Sequence, residues 1–213
     1  MDERYWSAVR TLRLRLADFL DTLTAAEWNA PSLCQGWRVR DVAGHLAIIP
    51  TLTTWQLLTV APRAGFNPNK INTLIAVRSG SREPAVVVSQ IRAHADATRT
   101  ARVLDTRDCL FDVIVHAQDI ALPLGREFPI PAEDLGPALR RVWSMGWPFH
   151  AQRKLTGVTL TATDIEWAQG RGPKVAGPAL ALLLLLTGRF ESALPSLDGP
   201  GIMMIQQPAA AGS

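Results

Sequence analysis

Residues 105–124 read DTRDCLFDVIVHAQDIALPL, a stretch that is apolar nearly throughout from Leu110 to Leu124 and carries its acidic and imidazole side chains in register. Asp112, His116 and Asp119 stand at i, i+4 and i+7, so on a helix they share one stripe. Asp105-x-x-Asp108 supplies a start signal, and Pro123 with Gly125 a stop. The stripe is open to two readings: the narrow wet edge of a bundle helix, or the wall of a site.

The chain before it is helical by pattern. Val9, Leu12, Leu16, Phe19 and Leu20 recur at helical spacing, with Arg10, Arg13 and Asp18 off that stripe, which predicts an amphipathic helix with one buried face. LTAAEWNAPSLCQGW, residues 23–37, holds Thr24 and Glu27 as a capping box for one helical turn, ended by Pro31. A second long helix starts near Arg38 and runs through RVRDVAGHLAIIPTLTTWQLLTV, with Pro50 kinking or breaking it. After the Pro-, Gly- and Asn-rich loop at 61–69, a helix is interrupted at SGSREP. There Ser81 can cap, and Pro84 can open a continuation to about Ala101. Four long helices with short connections imply an antiparallel bundle.

Beyond FPIPAED a shorter helix with Leu135, Leu139 and Trp143 leads to GWP, and the periodicity then changes. KLTGVTLTATDIEWAQG alternates Leu155, Val158 and Leu160 with Thr159, Thr161 and Thr163, the pattern of a strand, a turn at Thr163 and Asp164, and a second strand. GPALALLLLLTGR is a helix with Pro178 in its first turn and Gly188 near its end. The expected organisation is a helical bundle over 1–148 and a small α/β domain over 149–213. The latter is too small for a strong core of its own and is expected to pack on the bundle. Gln206 to Ser213 is expected to fray.

Composition narrows the function classes. The 213 residues are 47% apolar and 19% charged with both signs interleaved, as in ordinary globular proteins. A net charge of +3, a pI near 9.3 and no block of like charges give little support to nucleic acid or a membrane surface as partner. The longest apolar run, Ala179 to Leu186, is far short of the roughly 20 residues that span a bilayer. The charged stretch MDERYWSAVR is not expected to act as a secretory h-region, and two cysteines without CxxC lead us to expect a reducing cytoplasm.

The four histidines are His45, His94, His116 and His150. Arg38, Asp41 and His45 share a stripe on the second helix. If it faces the stripe of Asp112 and His116, two imidazoles and a carboxylate converge, the ligand set of a catalytic zinc or a non-haem iron site. Asp112 and His116, four apart on one helix, stand one above the other and suit such a pair. Asp41 and Asp119 are then candidates to accept the second N–H of each imidazole. Cys109, one turn before Asp112, is either a further ligand or a buried small hydrophobe. Cys34, in a loop before a helix start, reads as structural; Trp37 beside it can shape a pocket. His94 reads as solvated and His150 as structural. Arg189 either completes a helix dipole or holds an anionic substrate group.

LTAAEWNAPSLCQGWRVRDVAGHLA, then D-x3-HAQD at 112–119 with PLGR at 123–126, and finally GPALALLLLLTGR with SLDGPG, together resemble the mycothiol-dependent maleylpyruvate isomerase family, within the larger group of DinB-like metal-binding bundles. The resemblance covers most of the chain, in order. It implies a mainly α fold, a DinB-like antiparallel four-helix bundle with a small C-terminal α/β domain. It also implies zinc or another divalent metal, and mycothiol, the low-molecular-weight thiol of actinobacteria. The family's ligands map onto His45, Asp112 and His116, with aspartate at 112 where the family has glutamate. Arg189, in the family-like GR, becomes a candidate for binding a carboxylate.

The implied activity is addition of an activated thiol to a small-molecule electrophile, as an isomerase or an S-transferase, by a cytoplasmic monomer or homodimer. The alternative is a catalytically silent DinB-like binding or regulatory module with weakened metal binding.

Overall fold

The computed structural model describes residues 3–98 and 105–205. Contacts divide the chain into two units, 1–128 and 129–213.

In the first unit α1 (Glu3–Asp21) buries Val9, Leu12, Leu16 and Leu20 on the expected face. The one-turn α2 (Ala25–Asn29) opens on the capping box: Glu27 N–H donates to Thr24 Oγ1 over 3.3 Å, and Thr24 N–H to Glu27 Oε2 over 2.7 Å. Then come α3 (Val39–Ile48), α4 (Thr54–Val60), α5 (Pro68–Gly80), α6 (Pro84–Ala93) and α7 (Cys109–Ala121). Helix α1 packs on α6 and α7, and α3 packs on the same two, which closes a four-helix bundle.

Of the two outcomes expected at Pro50 the break is the one found, and the role of Ser81 differs from the sequence reading. The long second helix is two helices. Pro50 has no N–H to continue the ladder, so a 3-10 turn, Ile49–Thr51, follows α3, and a new capping box at Thr53 and Gln56 starts α4. Ser81 closes α5 rather than opening α6. Its hydroxyl donates to the Arg78 carbonyl, and Pro84 begins α6 after Glu83. The expected helix end near Ala101 and the frayed tail from Gln206 fall outside the described residues.

Helix α5 lies against α3 at two glycines. A Cβ on Gly44 would stand 2.2 Å from Gly80 N, and one on Gly80 would stand 2.3 Å from the Arg40 carbonyl oxygen. The two backbones therefore touch. Arg40 secures the crossing by donating from Nε to the Gly80 carbonyl (2.7 Å) and from Nη2 to that of Arg82 (3.0 Å), two groups at or just past the end of α5.

The second unit holds α8 (Ala132–Ser144), α9 (Ala151–Lys154), a three-stranded sheet and the helices α10 (Ala179–Leu186) and α11 (Phe190–Ala193). Helix α8 packs on α10, and the division accordingly falls ahead of the expected boundary at 148. The strands β1 (Thr159–Ala162), β2 (Ala168–Gly170) and β3 (Lys174–Gly177) are ordered β2-β1-β3, with β1 antiparallel to β2 and parallel to β3. Sequence periodicity gave no sign of β3, whose four residues are too few to alternate visibly. Helix α10 is apolar on every side because seven of its eight residues are buried.

Candidate metal centre

The bundle brings His45, Asp112 and His116 together. Helix α3 delivers His45 near its C-terminal end; α7 delivers the other two from successive turns of one face. His45 Nε2 lies 3.6 Å from Asp112 Oδ2, and His116 Nε2 lies 3.4 Å from Asp112 Oδ1. The two imidazole rings meet edge to face with centroids 4.9 Å apart.

His45 is the informative member. It is buried, and neither of its nitrogens has a hydrogen-bond partner among the described residues. A buried polar group left unpaired costs roughly 1–3 kcal/mol, so such groups in native proteins call for a missing partner. A divalent cation fits. Two ligand atoms at about 2.0–2.1 Å from a tetrahedral zinc stand about 3.4 Å apart, close to both separations found here, and one ligand atom from each of the three residues lies within 4.8 Å of the others.

Electrostatics agree. Burial alone would push the Asp112 carboxyl up, but the imidazoles of His116 and His45 outweigh it and hold the group below its ordinary value. Burial would likewise lower His116; against it, the Asp112 carboxylate first and the Asp119 hydrogen bond second raise it to about 10. A metal held by His116 would have to displace a proton that this environment favours.

Behind the ring, His116 Nδ1 lies 2.8 Å from Asp119 Oδ2, and Asp119 is fully buried. That is the carboxylate–imidazole arrangement that turns Nε2 toward a metal. Asp41 does not play the matching part for His45. Standing at the third position of α3, it folds back on the helix start and accepts from the Arg38 backbone N–H (2.9 Å), Nε (3.1 Å) and Nη2 (3.2 Å).

The loop before α3 contributes two groups that sequence reasoning undervalued. The Trp37 indole stacks on His116 at 6.4 Å and 19°, lies 5.6 Å from the His45 ring, and donates from Nε1 to Thr73 Oγ1 of α5. Cys34, read as structural, places its sulfur 3.0 Å from Asp119 Oδ2. The available signal was the C-x-G-W spacing directly ahead of the histidine helix.

Cys109 stays outside both clusters of possible ligands among the described residues. It is buried, and burial pushes its thiol up to about 11. At pH 8 such a thiol is about 0.1% ionised against roughly a quarter for an ordinary cysteine. Iodoacetamide labelling followed by peptide mass spectrometry should accordingly find Cys109 reacting at least about 100-fold more slowly in the folded chain than in guanidinium. Arg189 belongs to the second unit, where it caps α11 and donates to the Thr187 carbonyl over 2.6 Å.

Residues 9–107 match the sequence model of the mycothiol maleylpyruvate isomerase N-terminal domain. Two solved structures share the fold: that of the mycothiol-dependent maleylpyruvate isomerase and that of a histidine-to-alanine mutant of it. Each has a TM-score of 0.63 at 15% identity, over 97% of this chain and 95% of that chain. No curated protein matches the sequence.

Proposed function

We propose, for a chain that resembles the mycothiol-dependent maleylpyruvate isomerase family in both sequence model and fold, a mycothiol-dependent, zinc-binding enzyme. It activates a thiol for addition to a small-molecule electrophile, as an isomerase or an S-transferase. The single observation that carries this reading is the buried His45, without a hydrogen-bond partner at either nitrogen among the described residues and facing Asp112 and His116.

His45, Asp112 and His116 are the residues that would hold the metal. When bound, it would supply the Lewis acidity that keeps a thiol ionised at neutral pH. The protein's own part is positioning. Asp119 fixes the His116 ring through Nδ1, and Trp37 covers both imidazoles and keeps water from that side. Asp112 also supplies the negative charge that a dication needs between two neutral ligands. Arg189 would bind a substrate carboxylate through its planar guanidinium. The cytoplasm, where small thiols stay reduced, is the fitting compartment.

One feature favours the alternative, a silent DinB-like module with weakened metal binding. Asp112 is one methylene shorter than the glutamate of the family pattern, so its reach to a shared ion is shorter.

Zinc-loaded protein incubated with mycothiol and a panel of electrophiles, some bearing carboxylates, separates the two. The expected result is isomerisation or thiol consumption. Arg189→Ala should then raise KM for the carboxylate-bearing electrophiles by about 10-fold or more, the worth of one charge-assisted contact, with a smaller change in kcat. A panel that shows neither isomerisation nor thiol loss selects the silent module.

A further inference from the structure

We propose that Cys34 is a positioning residue of the metal centre, acting through Asp119 to fix the ring of His116. The inference rests on the metal-centre reading above, and its test keeps the two apart.

The geometry is specific. Asp119 Oδ2 receives two donors at once, the Nδ1 edge of His116 at 2.8 Å and the Cys34 thiol at 3.0 Å. Cys34 sulfur also lies 3.7 Å from His116 Nδ1, so thiol, carboxylate and imidazole form a closed triangle. The loop that carries the thiol is tied to the same residue by its backbone, since Leu33 N–H donates to the Asp119 carbonyl over 3.1 Å. The loop is also braced from within. Cys34 N–H donates to Ser32 Oγ over 3.1 Å, Trp37 N–H donates to the Cys34 carbonyl over 2.9 Å, and Gly36 takes the left-handed conformation at φ +76° that lets the chain turn back.

The consequence for His116 follows from carboxylate geometry. A carboxylate with one donor on an oxygen can swing about its terminal torsion, which is broad and soft. A second donor on that oxygen, fixed to a braced loop, removes the freedom. Asp119 then holds Nδ1 in one direction, and the ring aims Nε2 at Asp112 and His45. One loop thus grips the ring twice: Cys34 through its edge partner, and Trp37 over its face.

Cys34, His116 and Asp119 are also close enough to be ligands themselves. The positioning assignment rests on the separations from Asp119 Oδ2, which are those of hydrogen bonds rather than of ligands spread around an ion.

The test compares wild type, Cys34→Ala and Cys34→Ser by zinc competition against a chromophoric chelator and by the visible spectrum of the cobalt-substituted protein, with thermal unfolding of the metal-free forms as the control for folding. Alanine should weaken zinc binding about 10–100-fold, the usual effect of losing an outer hydrogen-bond partner, and should shift the cobalt d–d bands. Serine, which keeps a donor, should recover to within about threefold. Alanine that binds zinc as tightly as wild type, with an unchanged cobalt spectrum, overturns the proposal while leaving the metal centre standing. A sulfur-to-cobalt charge-transfer band in the wild type that serine abolishes would make Cys34 a ligand and also overturn it. A wild type that takes up neither ion overturns the metal centre and this proposal together.

Discussion

His45→Ala should reduce bound zinc from about one per chain to none that survives gel filtration, and leave the bundle folded. In the proposed centre three protein ligands would share the ion. If apparent zinc binding of about 10 kcal/mol or more is spread over a ligand set, removing one imidazole costs roughly 3 kcal/mol, a loss of about a hundredfold or more in affinity. The sign for the metal-free protein is different. His45 lies buried with neither nitrogen hydrogen-bonded among the described residues, so alanine removes a desolvated polar group as well as packing, and the net change in unfolding free energy is small. Thermal scans with and without zinc separate the effects. Saturating metal stabilises the wild type by about 4 kcal/mol at a thousandfold excess over Kd, whereas the variant should show no metal-dependent shift. A variant that keeps both its zinc and its shift would remove His45 from the site.

The largest loss of stability is expected one residue earlier, at Gly44→Ala, and at its counterpart Gly80→Ala. A methyl group on Gly44 meets the backbone of Gly80 at 2.2 and 2.6 Å, and one on Gly80 meets the carbonyl of Arg40 at 2.3 Å. Backbone cannot rotate aside as a side chain can, so α5 must back away from α3 along its length. A cost of about 3 kcal/mol or more follows, which for a protein of this size is a fall in Tm of about 10 °C. The displacement should reach the proposed metal centre too, because α5 carries the Thr73 hydroxyl that holds Trp37 over the imidazoles. Differential scanning calorimetry checks the first effect and zinc competition the second. Alanine at either glycine with a wild-type Tm would mean the helices do not cross here as described.

What could be read in the sequence divides along physical lines. The helices α1, α3 and α7 were legible because their apolar residues repeat over several turns, and the break at Pro50 because proline lacks a donor. Asp119 was legible as a partner of His116 because three residues along one helix fix their proximity. Other features depend on contacts between distant segments. Cys34 and Asp119 are 85 positions apart, and no periodicity joins a loop cysteine to a helix acid. Asp41 misled for the opposite reason. Its spacing from His45 is right for a shared face, but at the start of a helix a carboxylate has nearer donors in the unpaired first turn. Strand β3 exists through its pairing with β1, a tertiary event that four residues cannot announce.

The adjacency of Gly44 and His45 has a consequence for descent. The glycine serves the architecture and, in the proposed centre, the histidine serves the ion, yet they are neighbours in one codon pair. Drift can therefore erase the second without touching the first, and it cannot do the reverse without dismantling the crossing of α3 and α5. On the proposed reading, a relative that has kept glycine and lost histidine at these positions would have inherited the bundle without the metal site, a difference written in two adjacent letters.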